Sequence, residues 1–197
     1  MKLLLLTLAA VFAVAPSSTA QSSSEKPVAQ ERATPSQPPP DAFAGVPAAK
    51  PADVNSIDSI LSALYDVISG PPGERDWNRF RSLFINTAHL TSTSVAPDGS
   101  IRVHSNPVEG YVRGAGAYFL KNGFFEKPIV NRIESFGNIT QVFSSYESRH
   151  AAAEAPFARG INSIQLLNDG KRWWITSIIW DEERPGNPLP KGFASKP

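Results

Sequence analysis

Four segments in the C-terminal half, 128–136, 139–149, 158–167 and 172–181, are rich in β-branched and aromatic residues, and this run of strands constrains the fold most. Their turns are Gly137-Asn138, the stretch from Ala151 to Phe157, and Asn168-Asp169-Gly170-Lys171. The preceding part is mainly helical. From Asp53 to about Ser69, Val54, Ile57, Leu61, Leu64 and Ile68 recur at three- and four-residue steps, which predicts an amphipathic helix capped by Asp53 and stopped by Gly70-Pro71-Pro72-Gly73. A second, short helix is expected from Asp76, with Trp77, Phe80 and Phe84 on its apolar face. A third begins after Asn106-Pro107 and ends at Asn122-Gly123, with a hairpin over Leu90–Val95 and Ser100–Ser105 ahead of it. Helices first and long strands last imply an α+β domain over residues 53–183, a curved antiparallel sheet wrapped around three N-terminal helices.

The flanks differ in composition. Lys2 followed by the apolar run Leu3 to Val14, then Pro16-Ser17-Ser18-Thr19-Ala20, predicts a signal peptide over residues 1–20 and a secreted or periplasmic protein. The run is about 12 residues, against the roughly 20 that a spanning helix needs, so no membrane span is expected. Residues 21–52, dominated by Ser, Pro, Ala and Gln, are expected to form a disordered tether, and residues 184–197 a C-terminal tail. With no cysteine, stability has to come from packing. The formal charge is only +1 and no basic stripe is present, which argues against a nucleic-acid partner.

If Asp169-Gly170 forms a tight turn, Leu166 faces Trp173, Ile164 faces Ile175 and Asn162 faces Ser177 on the concave side of the last hairpin. The reverse face would then carry Arg159, Gln165, Trp174, Ile178 and Trp180. Such a mixture of tryptophan, isoleucine and polar groups suits a homodimer through the outer sheet face, unless a tail such as Pro185 to Phe193 covers it.

The order and spacing of several pieces resemble the nuclear-transport-factor-2-like (SnoaL-like) superfamily. These are Asp76-Trp77 through Phe84, the helix ending in Tyr118-Phe119, Gly123-Phe124-Phe125-Glu126, Ser145-Tyr146-Glu147-Ser148-Arg149, and Gly170-Lys171-Arg172-Trp173-Trp174-Ile175. The resemblance covers about Asp53 to Glu183. It implies a cone-shaped, cystatin-like α+β barrel with a cavity on its concave side and frequent dimerisation through the sheet. It implies no single activity, because relatives include steroid isomerases, dehydratases, epoxide hydrolases, polyketide cyclases and pure binding modules.

An enzyme of that kind would need a carboxylate base deep in the cone and hydroxyl donors for a developing oxyanion. Glu126, Glu134 and Glu147 lie on or beside strands. Glu147 and His150 are the candidate bases, the alternative being pairing of the carboxylates with Arg132, Arg149 or Arg159 at the surface. Tyr65, Tyr118, Tyr146, Asn162 and Ser177 are the candidate ligand-binding residues. His89, His104 and His150 form no close ligand pair, so neither a metal nor a cofactor is expected, and phosphate loops and dinucleotide fingerprints are missing. Asn138-Ile139-Thr140 matches the glycosylation sequon. The expected function is binding of a small apolar molecule without catalysis, with an isomerase, lyase or hydrolase as the alternative.

Overall fold

The computed structural model describes residues 41–194. The expected signal peptide (residues 1–20) and residues 21–40 of the expected tether lie outside the described residues. Among the described residues, four helices, α1 (Pro51–Val54), α2 (Ile57–Ile68), α3 (Trp77–Ser82) and α4 (Val108–Phe119), accompany six strands. The strands are β1 (Phe84–Val95), β2 (Ile101–Pro107), β3 (Phe125–Phe136), β4 (Ile139–Arg149), β5 (Ala158–Asn168) and β6 (Trp173–Glu182). They form one sheet in the order β2-β1-β6-β5-β4-β3. All neighbours are antiparallel except β1 and β6, which run parallel, a pairing the local sequence patterns do not announce.

The expected first helix is two pieces. Ser56 rather than Asp53 caps the long one, its hydroxyl accepting from the Ser59 N–H at 3.0 Å. Asp53 instead receives Arg79 through Nε at 2.8 Å and Nη2 at 3.0 Å, which ties α1 to α3. Asp76 caps α3 as expected. The apolar stripe of α2, with Ile60, Leu61, Leu64 and Ile68, packs with Phe80, Leu83 and Phe84 against Ile164, Leu166 and Ile175 of the sheet. Burying these side chains is the main source of stability in a chain without disulfides.

The last hairpin departs from the expected register. Its turn spans Asp169 to Arg172, with Asp169 Oδ1 accepting from the Lys171 and Arg172 N–H groups, so it is longer than a two-residue loop. Asn162 therefore faces Trp180, Ile164 faces Ile178 and Leu166 faces Ile175, with an irregularity between Gln165 and Leu166 that leaves Thr176 as an extra residue. The slip moves Ile178 and Trp180 to the inner side and Ser177 to the outer side, beside Gln165.

This corrects the proposed dimer face. Ile178 belongs to the core, and Trp180 packs against it from the same side. Trp174 does point outward, between the inward Trp173 and Ile175, but the Phe43 ring lies over it at 4.7 Å and its indole N–H donates to Asp169. Arg159 is engaged by Glu183. The segment from Asp41 thus belongs to the domain rather than to a tether, since Ala42 also accepts from the Asn86 N–H. The C-terminal tail lies on the outer face as well: Phe193 is buried, its ring 5.6 Å from that of Phe143, with Arg132 over it at 4.2 Å. Among the described residues, no helix is long and apolar enough to cross a membrane.

Candidate functional site

On the concave side of the sheet, under α2, α3 and α4, lies a cavity of about 250 Å³. Its walls are mainly apolar. Leu64 and Ile68 come from α2, Phe80 from α3, Tyr111 and Phe119 from α4, and Ile178 and Trp180 from β6. The aromatic groups support one another: Phe80 and Tyr111 stack at 5.3 Å, Tyr111 meets Trp180 edge-on at 6.4 Å, and Phe119 packs on Phe124 at 5.0 Å.

The polar groups gather at one end, around Glu126. Local structure places this residue firmly. Gly70, just past α2, exchanges two backbone hydrogen bonds with Phe124, and the Ser69 hydroxyl accepts from the Glu126 N–H at 2.9 Å while donating to the Tyr65 carbonyl at 2.7 Å. The start of β3 is thereby fastened to the end of α2, and the Glu126 side chain points into the cavity between them. Its cross-strand partner Ser148 donates to Oε2 at 2.8 Å, and Asn162 Nδ2 lies 3.5 Å from Oε1.

The second proton of the Asn162 amide begins a directed chain. Asn162 donates to the Tyr65 hydroxyl at 3.2 Å, Tyr65 donates to Ser144 at 2.6 Å, and Ser144 donates to Asn131 Oδ1 at 2.6 Å. The order follows from Ser144, whose single proton is committed to an amide oxygen that can only accept. Asn162 is therefore held with its amino group, and not its oxygen, toward Glu126.

Burial without a cationic partner pushes the Glu126 carboxyl up to about 7; the Ser148 and Asn162 hydrogen bonds oppose the shift and Glu182 at the cavity rim adds to it. Burial likewise raises the Tyr146, Tyr111 and Tyr65 hydroxyls above the usual tyrosine range, and the Glu126 charge adds to each shift. The Tyr146 hydroxyl has room because residue 160, directly across the strand pair, is glycine. Among the described residues it has no hydrogen-bond partner, and Tyr146 lines the cavity. A weakly acidic carboxyl and a free hydroxyl thus share one apolar chamber, an arrangement able to orient a polar group of a ligand or to move a proton.

No protein-family model matches the sequence. No curated protein is similar to it either. A protein of unknown function with a cystatin-like fold from Nostoc punctiforme is 12% identical, covers 68% of this chain and 92% of its own, and has a TM-score of 0.50. The domain has a cystatin-like fold. Also similar are a nuclear-transport-factor-2-like protein of unknown function from Shewanella baltica (17% identical, covering 65% of this chain and 91% of its own, TM-score 0.43) and an uncharacterised cystatin-like protein from Caulobacter vibrioides (9%, 67% and 90%, TM-score 0.49).

Within this cystatin-like domain, Tyr118, Tyr146 and Asn162 line the cavity. Tyr65 stands one bond behind Asn162 and acts on the site through it. Ser177 is on the other face of the sheet, a consequence of the register slip.

Both candidate bases are corrected. Glu147 lies on the outer side of β4, paired with Arg149 at 2.7 Å and Lys127 at 3.1 Å; burial raises its carboxyl, but these two cations outweigh that and hold it below the usual range. Adjacent strand residues face opposite sides, so an inward Tyr146 already excludes Glu147. His150 is exposed beyond the end of β4, its ring stacked on Phe157 at 4.1 Å. Glu134 is exposed too. Glu126 carries the inward carboxylate. Its signal was the parity of its partner strand, where Val142, Ser144, Tyr146 and Ser148 alternate inward, but the strand containing Glu126 was expected to start only at residue 128. Among the described residues, no three of His, Asp and Glu converge as metal ligands.

Proposed function

We propose that the domain binds a small, mainly apolar molecule carrying one polar end, with the body against Leu64, Phe119 and Trp180 and the polar end at Glu126 and Tyr146. The observation that carries this reading is the segregation inside the cavity: apolar walls, with the polar groups at one end held by their own hydrogen bonds. Its volume of about 250 Å³ lies just below the roughly 300–1,000 Å³ typical of drug-sized ligands, which favours a smaller occupant. The run from Leu3 to Val14 supports placing this activity outside the cytoplasm.

The test is a thermal-shift screen of small neutral ring compounds, followed by titration of those that stabilise the protein. Binding is expected in the wild type and should vanish in Ala115→Trp, where the new side chain fills the chamber. Retention of full affinity by that variant, with its fold intact by circular dichroism, would place the ligand elsewhere.

A second reading, proton transfer, is favoured by the Glu126 carboxyl near 7, where a general base operates best at neutral pH. Glu126 would take a proton from carbon next to a carbonyl and Tyr146 would donate a hydrogen bond to the resulting oxyanion. Deuterium exchange into a cyclic ketone, followed by NMR, should then require Glu126; equal exchange by Glu126→Gln removes this reading and leaves binding.

A further inference from the structure

The cavity has a charge pattern that the binding reading does not use. Among the described residues that line it there is no Lys, Arg or His, while two carboxylates, Glu126 inside and Glu182 at the rim, belong to its wall. The cations of the neighbourhood are engaged elsewhere. Arg75 lies over the Phe119 ring at 4.9 Å, but it is held by the carbonyls of Ile68, Gly70, Pro71 and Gly73 and does not line the chamber. Arg159 is engaged by Glu183.

The remaining wall is aromatic to an unusual degree for so small a space: Tyr111, Tyr118, Phe119, Phe124, Tyr146 and Trp180 all contribute. Aromatic faces present negative potential and attract cations, more strongly where water is excluded. The carboxylate has acceptor capacity to spare as well. Glu126 Oε1 meets only the 3.5 Å contact from Asn162, so its lone pairs remain open toward the cavity. Neither Asn162 proton is free to serve a ligand anion, since one is committed to Tyr65 and the other lies against Glu126.

We infer that the occupant of this cavity is a protonated amine with an apolar body, its ammonium group donating to Glu126 and surrounded by the aromatic wall. The inference rests on the binding reading and names the ligand class. A charged N–H···carboxylate bond is stronger than a neutral one and is strengthened further by burial. An anion of the same shape would meet two carboxylates and no cation, with only neutral groups such as the Tyr146 hydroxyl to donate to it. The titratable groups that face Glu126 are Tyr65 on α2, Tyr111 on α4, Tyr146 on β4 and Glu182 on β6; none can supply a positive charge. The ammonium of the ligand is then the counter-ion that Glu126 lacks, and at pH 7 its arrival displaces the proton that the carboxyl partly retains.

The experiment compares three molecules of similar shape, 2-phenylethylammonium, 2-phenylethanol and 3-phenylpropanoate, titrated by calorimetry at pH 8. The amine is expected to bind at least about tenfold tighter than the alcohol, and the carboxylate weaker than both. Glu126→Gln should bring amine and alcohol to within about threefold, chiefly by weakening the amine, with the fold of the variant checked by circular dichroism. Equal affinity for amine and alcohol, or preference for the carboxylate, overturns the ammonium assignment while the apolar cavity stands. Failure of all three to bind at about 10 mM removes the cavity as a site for small ring compounds, and both readings fall together.

Discussion

Gly160 and Tyr146 are cross-strand partners, and a Cβ built on Gly160 would lie 2.7 Å from the Tyr146 hydroxyl oxygen. The missing side chain makes the place in which that hydroxyl stands. Gly160→Ala should lose about 1–3 kcal/mol in urea denaturation, because strand backbone and a buried ring must both give way. It should also weaken binding in the cavity. A variant as stable as wild type, with affinity unchanged, would show that the tyrosine has freedom to move aside.

Glu126 should make the domain less stable as pH rises. Its folded carboxyl sits near 7, against 4.5 for an unperturbed glutamate, so the folded state holds the proton more tightly than the unfolded chain. The destabilisation is absent below about 4.5, grows as pH rises and is complete above about 7, reaching on the order of 3 kcal/mol. Glu126→Gln abolishes this component. The melting temperature of the variant relative to wild type is therefore expected to climb between pH 4.5 and 7; a constant difference would mean that Glu126 titrates normally.

Tyr65→Phe tests the chain behind the site. Its hydroxyl is buried and serves Asn162 and Ser144 at once, so its loss leaves two groups short of a partner and should cost about 1–3 kcal/mol. Tyr118→Phe provides the contrast, since Tyr118 is exposed and should change by less than about 0.5 kcal/mol. Denaturation curves for the two variants settle the point.

The tail carries a prediction about association. Phe193 covers part of an outer face that still exposes Phe143 and Ile179. Deleting residues 185–197 should therefore raise self-association in analytical ultracentrifugation at micromolar concentration. An unchanged sedimentation profile would show that the tail covers nothing that attracts a partner.

Much of the architecture was legible because it follows from local periodicity. The stripe from Ile57 to Ile68, the Asp76 cap and the span of β4 appear as expected. The errors lie where a small offset decides which way a side chain points. A turn two residues longer than assumed changed the partners, and the extra residue at Thr176 carried Trp180 inside and Ser177 outside, since strand faces alternate. Glu126 was missed for a related reason: its inward direction is set by pairing with Ser148 and by the grip of Ser69, contacts between elements far apart in the chain. The inward direction of Asn162 was legible because a long run of alternation surrounds it.

The parallel contact between β1 and β6 has a bearing on how the protein is made. Leu90 needs Ile178 beside it, and the Leu83 carbonyl receives the N–H of Ile175. A ribosome must therefore deliver residues up to about 182 before the first strand can find its neighbour on that side. Contacts of such long sequence separation are slow to close, so the helices and β1 would wait on the nascent chain with their apolar faces uncovered. A folding helper that shields those faces during synthesis would raise the yield of native protein.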